Sequence, residues 1–350
     1  MPQGQYTNKY MKQIIFFLFA LVVIGCGGDN KNNGKTDEAN CERDSITIEE
    51  FFSSSKSFWG DSIYNLNPEL MTLYDSLYDS ICITESSSYG FLKKEYWMRG
   101  YCKKLADYYD AHDLGIKNIS IYAKADTVLN HIHRLISQDD DTSTMGMVVQ
   151  YGTESKLNMC RGYAMYLQMK DLCKEKATKG LLEREWKLYH QIYDKAMNVV
   201  VNTGDLYFWG GSIIGPFVSW KNKEMIAARI EMYKAFFSDV KTKKGNAHDL
   251  QEAKMMLLKS YSSTLDEVLN CIEEYRQESP EYFPREESEK LEKDARRSIK
   301  ELDASLEEWI KLLKEIGGKL PGANHTIIEQ AASSMVIRWT EIGTDMWREG

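Results

Sequence analysis

Proline is scarce, with six residues in 350, and the rest of the chain is long mixtures of charged and apolar residues. That composition argues against a turn-rich sheet protein and for helices. Basic residues are outnumbered, 44 Lys and Arg against 52 Asp and Glu, for a net charge of −8. An acidic chain is a poor nucleic-acid binder, because phosphate contacts need clustered Lys and Arg. Motifs that carry chemistry are missing as well: there is no His-Glu-x-x-His, no phosphate-binding loop and no Gly-x-Ser-x-Gly. The six histidines, His112, His131, His133, His190, His248 and His325, are scattered. His131 and His133 would splay around a helix, whereas two metal ligands on one helix face sit about four residues apart. Carboxylate pairs are abundant on the helical stretches, so none stands out as acid and base. The sequence therefore predicts a non-enzymatic protein with no metal and no cofactor.

Long apolar runs are also missing, with one exception near the start. Lys9 and Lys12 precede Ile14–Ile24, an apolar stretch without charge, and Val23-Ile24-Gly25-Cys26 closes it. A basic start, a short apolar core and a small residue before the cut form the layout of a secretory signal. The run is short for crossing a bilayer, which takes roughly 20 residues. The four residues ending at Cys26 resemble the bacterial lipobox, and the resemblance implies that Cys26 is diacylated and becomes the first mature residue. Residues 27–45 are Gly, Asn, Asp and Lys with almost nothing apolar, the composition of a flexible tether. An uncut membrane anchor is the alternative, and this polar run argues against it. Losing residues 1–25 removes Lys9 and Lys12 and no acid, which leaves the mature chain near −10. The expected location is the bacterial envelope, lipid-anchored to a membrane, most naturally the outer one.

Beyond the tether the apolar spacing is helical almost throughout. Asn67-Pro68-Glu69 opens a helix to about Cys82. Phe91 to about His112 follows, with Tyr96, Trp97, Tyr101, Leu105 and Tyr108 spaced for burial. Further helices are expected near 121–136, 144–175 (with an interruption at Tyr151-Gly152-Thr153) and 181–201. Asn202-Thr203-Gly204-Asp205 reads as a turn, and Gly210 to Pro216 as irregular. Helices near 217–240, 250–277, 285–316 and 326–347 complete the pattern. The 285–316 helix is densely charged, which reads as a solvated face. The whole reads as all-α, antiparallel helical hairpins packed as one or two helix bundles. Residues 46–240 form the first helical domain, 241–246 a linker, and 247–350 a C-terminal bundle.

Seven cysteines are present. With Cys26 assigned to lipid, Cys41, Cys82, Cys102, Cys160, Cys173 and Cys271 enter an oxidising compartment, where disulfides are plausible. Six thiols allow 15 full pairings, and the sequence does not choose among them. Cys160 and Cys173 share one helix about 20 Å apart and are too distant to pair. Cys82 with Cys102, on successive helices, is the favoured pair, with free buried thiols the alternative.

Leu157-Asn158-Met159-Cys160, Trp186-Lys187-Leu188-Tyr189, Gly210-Gly211-Ser212-Ile213 and Arg229 follow one another over residues 156–237. This segment resembles the LprI-type, lysozyme-inhibitor-like family of exported helical domains. The resemblance implies a protein-binding role toward a cationic lysozyme. It is partial: His190-Gln191 stands where the family has Arg-Asp, and Pro216 comes late. Asp194 and Lys221 stand where relatives have two cysteines. The joint loss of those cysteines implies that they pair in relatives, and hence that Asp194 and Lys221 lie close together here. Asp126-Thr127-Val128-Leu129-Asn130 and Asp266-Glu267-Val268-Leu269-Asn270 resemble another element of the family, so the C-terminal helices read as a degenerate second copy.

Trp186, Tyr189, Tyr207 and Trp209 belong to a dense aromatic cluster around one turn. It reads either as the core where a hairpin closes or as a partly exposed contact surface. Taken with the resemblance, the expected binding residues are Trp186, Tyr189, Tyr207, Trp209, Gly210, Gly211, Ser212 and Arg229. A structural lipoprotein of the envelope with no lysozyme affinity is the alternative.

Overall fold

The computed structural model describes residues 88–112, 114, 119–136, 143–209, 211–237, 249–278, 285–321 and 323–345. The signal, Cys26, the tether, Cys41, the 67–82 helix, Cys82 and the 241–246 segment lie outside the described residues. Among the described residues there are eight helices and no strand. They are α1 (Ser88–Ala111), α2 (Ile121–Ile136), α3 (Thr144–Leu172), α4 (Lys176–Phe208), α5 (Ile214–Phe237), α6 (Leu250–Glu278), α7 (Arg285–Ile316) and α8 (His325–Thr344). The all-α fold of packed helical hairpins is what the apolar spacing called for.

The chain divides into two compact units, one ending at Asp139 and one starting at Asp140. The helices on either side of 241–246, α5 and α6, both belong to the second unit. In the first unit, α1 and α2 pair as a hairpin. Tyr101, Leu105 and Tyr108 of α1 and Ala125, Val128 and Ile132 of α2 are buried. Arg99 of α1 donates to the Tyr122 hydroxyl at 2.6 Å, and Lys124 of α2 pairs with Asp110 at 2.6 Å. Tyr96, expected on the buried face, is 60% exposed. Its position lies about 140° around the helix from Tyr101, off the stripe that Tyr101, Leu105 and Tyr108 share. Cys102 is a free, buried thiol, which corrects the favoured pairing with Cys82 and agrees with the alternative of free buried thiols. Burial pushes its pKa up to about 12, which keeps it protonated and unreactive at neutral pH.

The second unit is built on a helix that turns back twice. Ser143 caps α3, its hydroxyl accepting from the Gly146 N–H at 3.0 Å. The helix runs unbroken through Tyr151-Gly152-Thr153, where an interruption was expected. α4 then returns, and α5 runs back beside α3 in the same direction, with Lys223 of α5 paired to Glu154 of α3 at 3.0 Å. α7 lies antiparallel on α4: Lys195 donates to the Ser305 hydroxyl at 2.7 Å, and Arg184 faces Glu315 at 3.9 Å. α6 and α7 form an antiparallel pair laced by Lys254–Glu307 and Arg296–Asp266, at 2.9 and 2.8 Å. α8 closes the unit against α5, where the Trp339 indole donates to the Met225 carbonyl at 2.9 Å. The charged α7 has an outer face of ion pairs and an inner stripe of Leu302, Leu306, Trp309, Leu313 and Ile316.

The most informative difference concerns residues 202–205. They were read as a turn, but α4 continues through them to Phe208. Gly204 is there for close approach. A Cβ at that position would sit 2.9 Å from Phe217 Cε1 and 3.0 Å from Ile214 Cδ1, inside ordinary contact distance. The glycine lets the start of α5 lie directly against the end of α4. Pro216 falls in the first turn of α5, where its missing N–H costs no intrahelical bond.

Two alanine substitutions separate these roles. Gly204→Ala is expected to destabilise the fold by about 1 kcal/mol or more through overpacking. Gly180→Ala, on α4 where an added Cβ meets nothing within 4 Å, is expected to stabilise by about 0.5–1 kcal/mol through backbone entropy. Urea unfolding midpoints check both, and equal shifts of the same sign would refute the close-approach account.

Candidate functional site

The residues expected to form one binding surface fall into two groups. Trp186, Tyr189 and Arg229 are interior, while Tyr207, Trp209, Gly211 and Ser212 lie at the α4–α5 turn. Gly210 lies outside the described residues.

The interior group is organised by a residue that the sequence reading passed over. Glu185, one position before Trp186, faces inward with Leu182, Tyr189 and Ile192 along the buried stripe of α4. Arg229 projects from α5 to meet it, its Nη2 lying 2.6 Å from both carboxylate oxygens. Both side chains are about 2% exposed. The Trp309 indole of α7 donates to Glu185 Oε1 at 2.8 Å, and the Tyr233 hydroxyl donates to Oε2 at 3.4 Å. Arg229 also donates to the Tyr233 hydroxyl. The guanidinium lies between two aromatic faces, 4.0 Å from the Tyr189 ring centre and 4.1 Å from that of Tyr233. Burial, the largest single influence, would lower the Arg229 pKa, but Glu185, Tyr233 and Tyr189 together hold the arginine above its ordinary value. Tyr189 and Tyr233 are both pushed up, by burial first. Trp186 continues the cluster, stacked on Tyr166 at 4.7 Å and edge-on to Tyr163 at 4.9 Å.

This arrangement fastens three helices. The carboxylate is occupied by arginine, indole and phenol donors and is shut off from solvent, so it presents nothing to a substrate or a partner. The aromatic cluster around Trp186 and Tyr189 is therefore core, the first of the two readings. Arg229, which carried part of the family resemblance, is a structural ion here.

Lys221 is likewise wholly buried. Its ammonium donates to the carbonyl of Ile342, and to that of Asp345 at 2.9 Å, and lies 4.5 Å from the Trp220 ring centre. It acts as a cationic cap on the end of α8, complementing the negative pole of that helix. Asp194, expected beside it, is exposed on α4.

The turn group has a different character. Trp209 caps α4 with φ 41° and ψ 55°, in the left-handed region, its N–H bonded to the Asp205 carbonyl at 3.0 Å. Glycine ordinarily takes that position, and a non-glycine residue there costs about 1–2 kcal/mol. Gly211 N–H then bonds the Phe208 carbonyl at 2.9 Å, and Ser212 and Ile213 stand exposed before α5 begins. Beneath the turn, Leu206 packs with Leu265, Val268, Ile272 and Ala295, and Tyr207 and Phe217 lean on that cluster. Asp205 is pushed up to about 6, by burial and then by Glu287. Among the described residues, no three His, Cys, Asp or Glu side chains gather to hold a metal ion, and no helix is long and apolar enough to cross a membrane.

A double-mutant cycle tests the interior pair. Glu185→Leu alone leaves Arg229 charged and buried, and Arg229→Met alone leaves Glu185 so; each is expected to cost about 3–5 kcal/mol of unfolding free energy. The double change Glu185→Leu with Arg229→Met removes both charges and is expected to cost clearly less than either single one. Additive costs would show that the two side chains do not act as a pair.

Compared with family models, with curated proteins and with solved structures, the chain matches none.

Proposed function

We propose that this chain is a lipoprotein of the bacterial envelope, anchored through acylated Cys26, whose helical fold binds a protein partner without catalysing a reaction. The α4–α5 turn is the contact surface, and a cationic lysozyme is the partner that the family resemblance implies. The observation that carries the reading is Trp209. A strained tryptophan at a helix cap, immediately before two glycines that would take the position without strain, points to a use for the side chain itself. Tryptophan is a frequent anchor at interfaces because it covers much area at small entropy cost. The acidic chain would steer a basic enzyme toward it and give a clear salt dependence of association.

One observation favours the second reading, a structural lipoprotein with no lysozyme affinity. Trp186, Tyr189 and Arg229, which carry much of the resemblance, are spent inside the fold.

Titration of the purified protein with a c-type lysozyme at low salt separates the two. Binding and loss of lysozyme activity are expected, with Trp209→Gly weakening affinity at least tenfold while raising stability by about 1 kcal/mol. Neither binding nor inhibition would leave the structural reading standing. The anchor has its own check: mass spectrometry of the native product is expected to find a lipid-modified Cys26 at the mature N-terminus. An unmodified peptide spanning Lys12 to Lys31 in the soluble cytosolic fraction would overturn it.

A further inference from the structure

The second unit has one basic end, although acids outnumber bases in the chain, 52 to 44. Gly162–Tyr193 and Trp309–Ile328 together carry nine Lys and Arg against five Asp and Glu. The antiparallel run of α4 and α7 brings these stretches side by side, with Arg184 facing Glu315 at 3.9 Å. Three of the five acids have basic partners: Glu183 pairs with Lys170 at 2.6 Å, Glu185 with the buried Arg229, and Glu315 with Arg184. The other two are Asp171 and Glu175. Around them, Lys174 and Lys176 at the α3–α4 corner and Lys311, Lys314 and Lys319 at the end of α7 are all exposed. Further back on α7, Glu307 is held by Lys254 at 2.9 Å, and Glu308 follows it. One apolar side chain stands among these lysines: Leu172, the last residue of α3, is 47% exposed.

Resting on the anchored reading above, we infer that this end, Leu172 with Lys174, Lys176, Lys314 and Lys319, is a docking surface for an anionic phospholipid bilayer, and that it seats the second unit on the membrane to which Cys26 ties the chain. Charge and effective concentration select that partner. Each basic residue at an anionic lipid surface multiplies affinity by roughly five, so a handful of lysines is a weak site for a partner met in solution. A chain already tied to the bilayer meets its headgroups at high effective concentration, where weak contacts suffice. An exposed leucine among lysines is the combination that interfacial segments use: the apolar group enters the headgroup layer and the ammonium groups stay with the phosphates. The acidic remainder of the chain is repelled by the same surface, which disfavours seating by another face. Trp209 lies at the far end of α4, so a unit seated this way turns the α4–α5 turn away from the bilayer.

The test uses the full chain purified from cells, with a photo-crosslinking residue at position 176, at 319 or at 213, on vesicles of phosphatidylcholine alone or mixed with phosphatidylglycerol. Ile213, exposed beyond the other end of α4, serves as the control. Phospholipid adducts from 176 and from 319 are expected to rise at least tenfold when phosphatidylglycerol is present and to fall back in high salt. None is expected from 213 on either vesicle. Adding Lys174→Glu with Lys314→Glu, two exposed changes, is expected to cut the adducts at least tenfold, whereas Arg297→Glu, exposed elsewhere on α7, leaves them unchanged. Equal yield on both vesicles, an equal adduct from 213, no adduct from 176 or from 319, or insensitivity to the two lysine changes would each overturn the surface. The anchor is read separately, by flotation on phosphatidylcholine alone. A chain that floats there and shows no dependence on phosphatidylglycerol keeps the anchor and loses the surface. One that does not float there, yet crosslinks when phosphatidylglycerol is present, loses the anchor and keeps the surface.

Discussion

The contact between Glu185 and Arg229 sets the register of the second unit. It joins α4 to α5 directly, and through the Trp309 indole it joins both to α7. An isolated charge in an interior is very costly, so the two helices have little freedom to slide or rotate past one another once the pair has formed. Apolar side chains alone would tolerate small shifts at modest cost. A carboxylate held by an arginine, an indole and a phenol tolerates almost none. The buried pair adds little net stability over a well-packed apolar core, but it penalises every alternative alignment of α4, α5 and α7. Further polar contacts extend the same logic to the edges of the unit, among them Lys195 with Ser305 between α4 and α7, and Lys221 on the end of α8.

With the interior so arranged, the turn between α4 and α5 can carry strain. Gly204 and Phe217 bring the helix ends into contact, and Leu206 roots the turn in an apolar cluster shared with α6 and α7. Trp209 can then occupy an unfavourable backbone region without loosening its surroundings. Backbone strain of this kind persists only where the surrounding structure over-determines it, as these two helix ends do.

Much of the helical layout was legible in the sequence. α2 and α7 begin and end at the residues expected from their spacing, because each has a clear apolar stripe and is bounded by chain breakers. The end of α4 was not legible, because Asn202-Thr203-Gly204-Asp205 has the composition of a turn. Only the position of Phe217 in space shows that the glycine serves packing. Glu185 was hidden for a related reason. It sits among Glu183, Arg184 and Lys187, and nothing local marks which of these turns inward; the answer depends on an arginine 44 positions later. The aromatic cluster was visible as a density of rings, but its division into an interior part and a turn part depends on which face of α4 each ring occupies. Periodicity over a turn as short as 209–213 cannot supply that.

The length of α4 has one more consequence. Its 33 residues, rising about 1.5 Å each, make a rod of about 50 Å, braced along much of its length by α7. Trp209, the cap of α4, is thereby held at a fixed distance from the start of that helix. While the unit stays folded, the separation of the two ends of α4, Lys176 and Phe208, is therefore set by helix geometry.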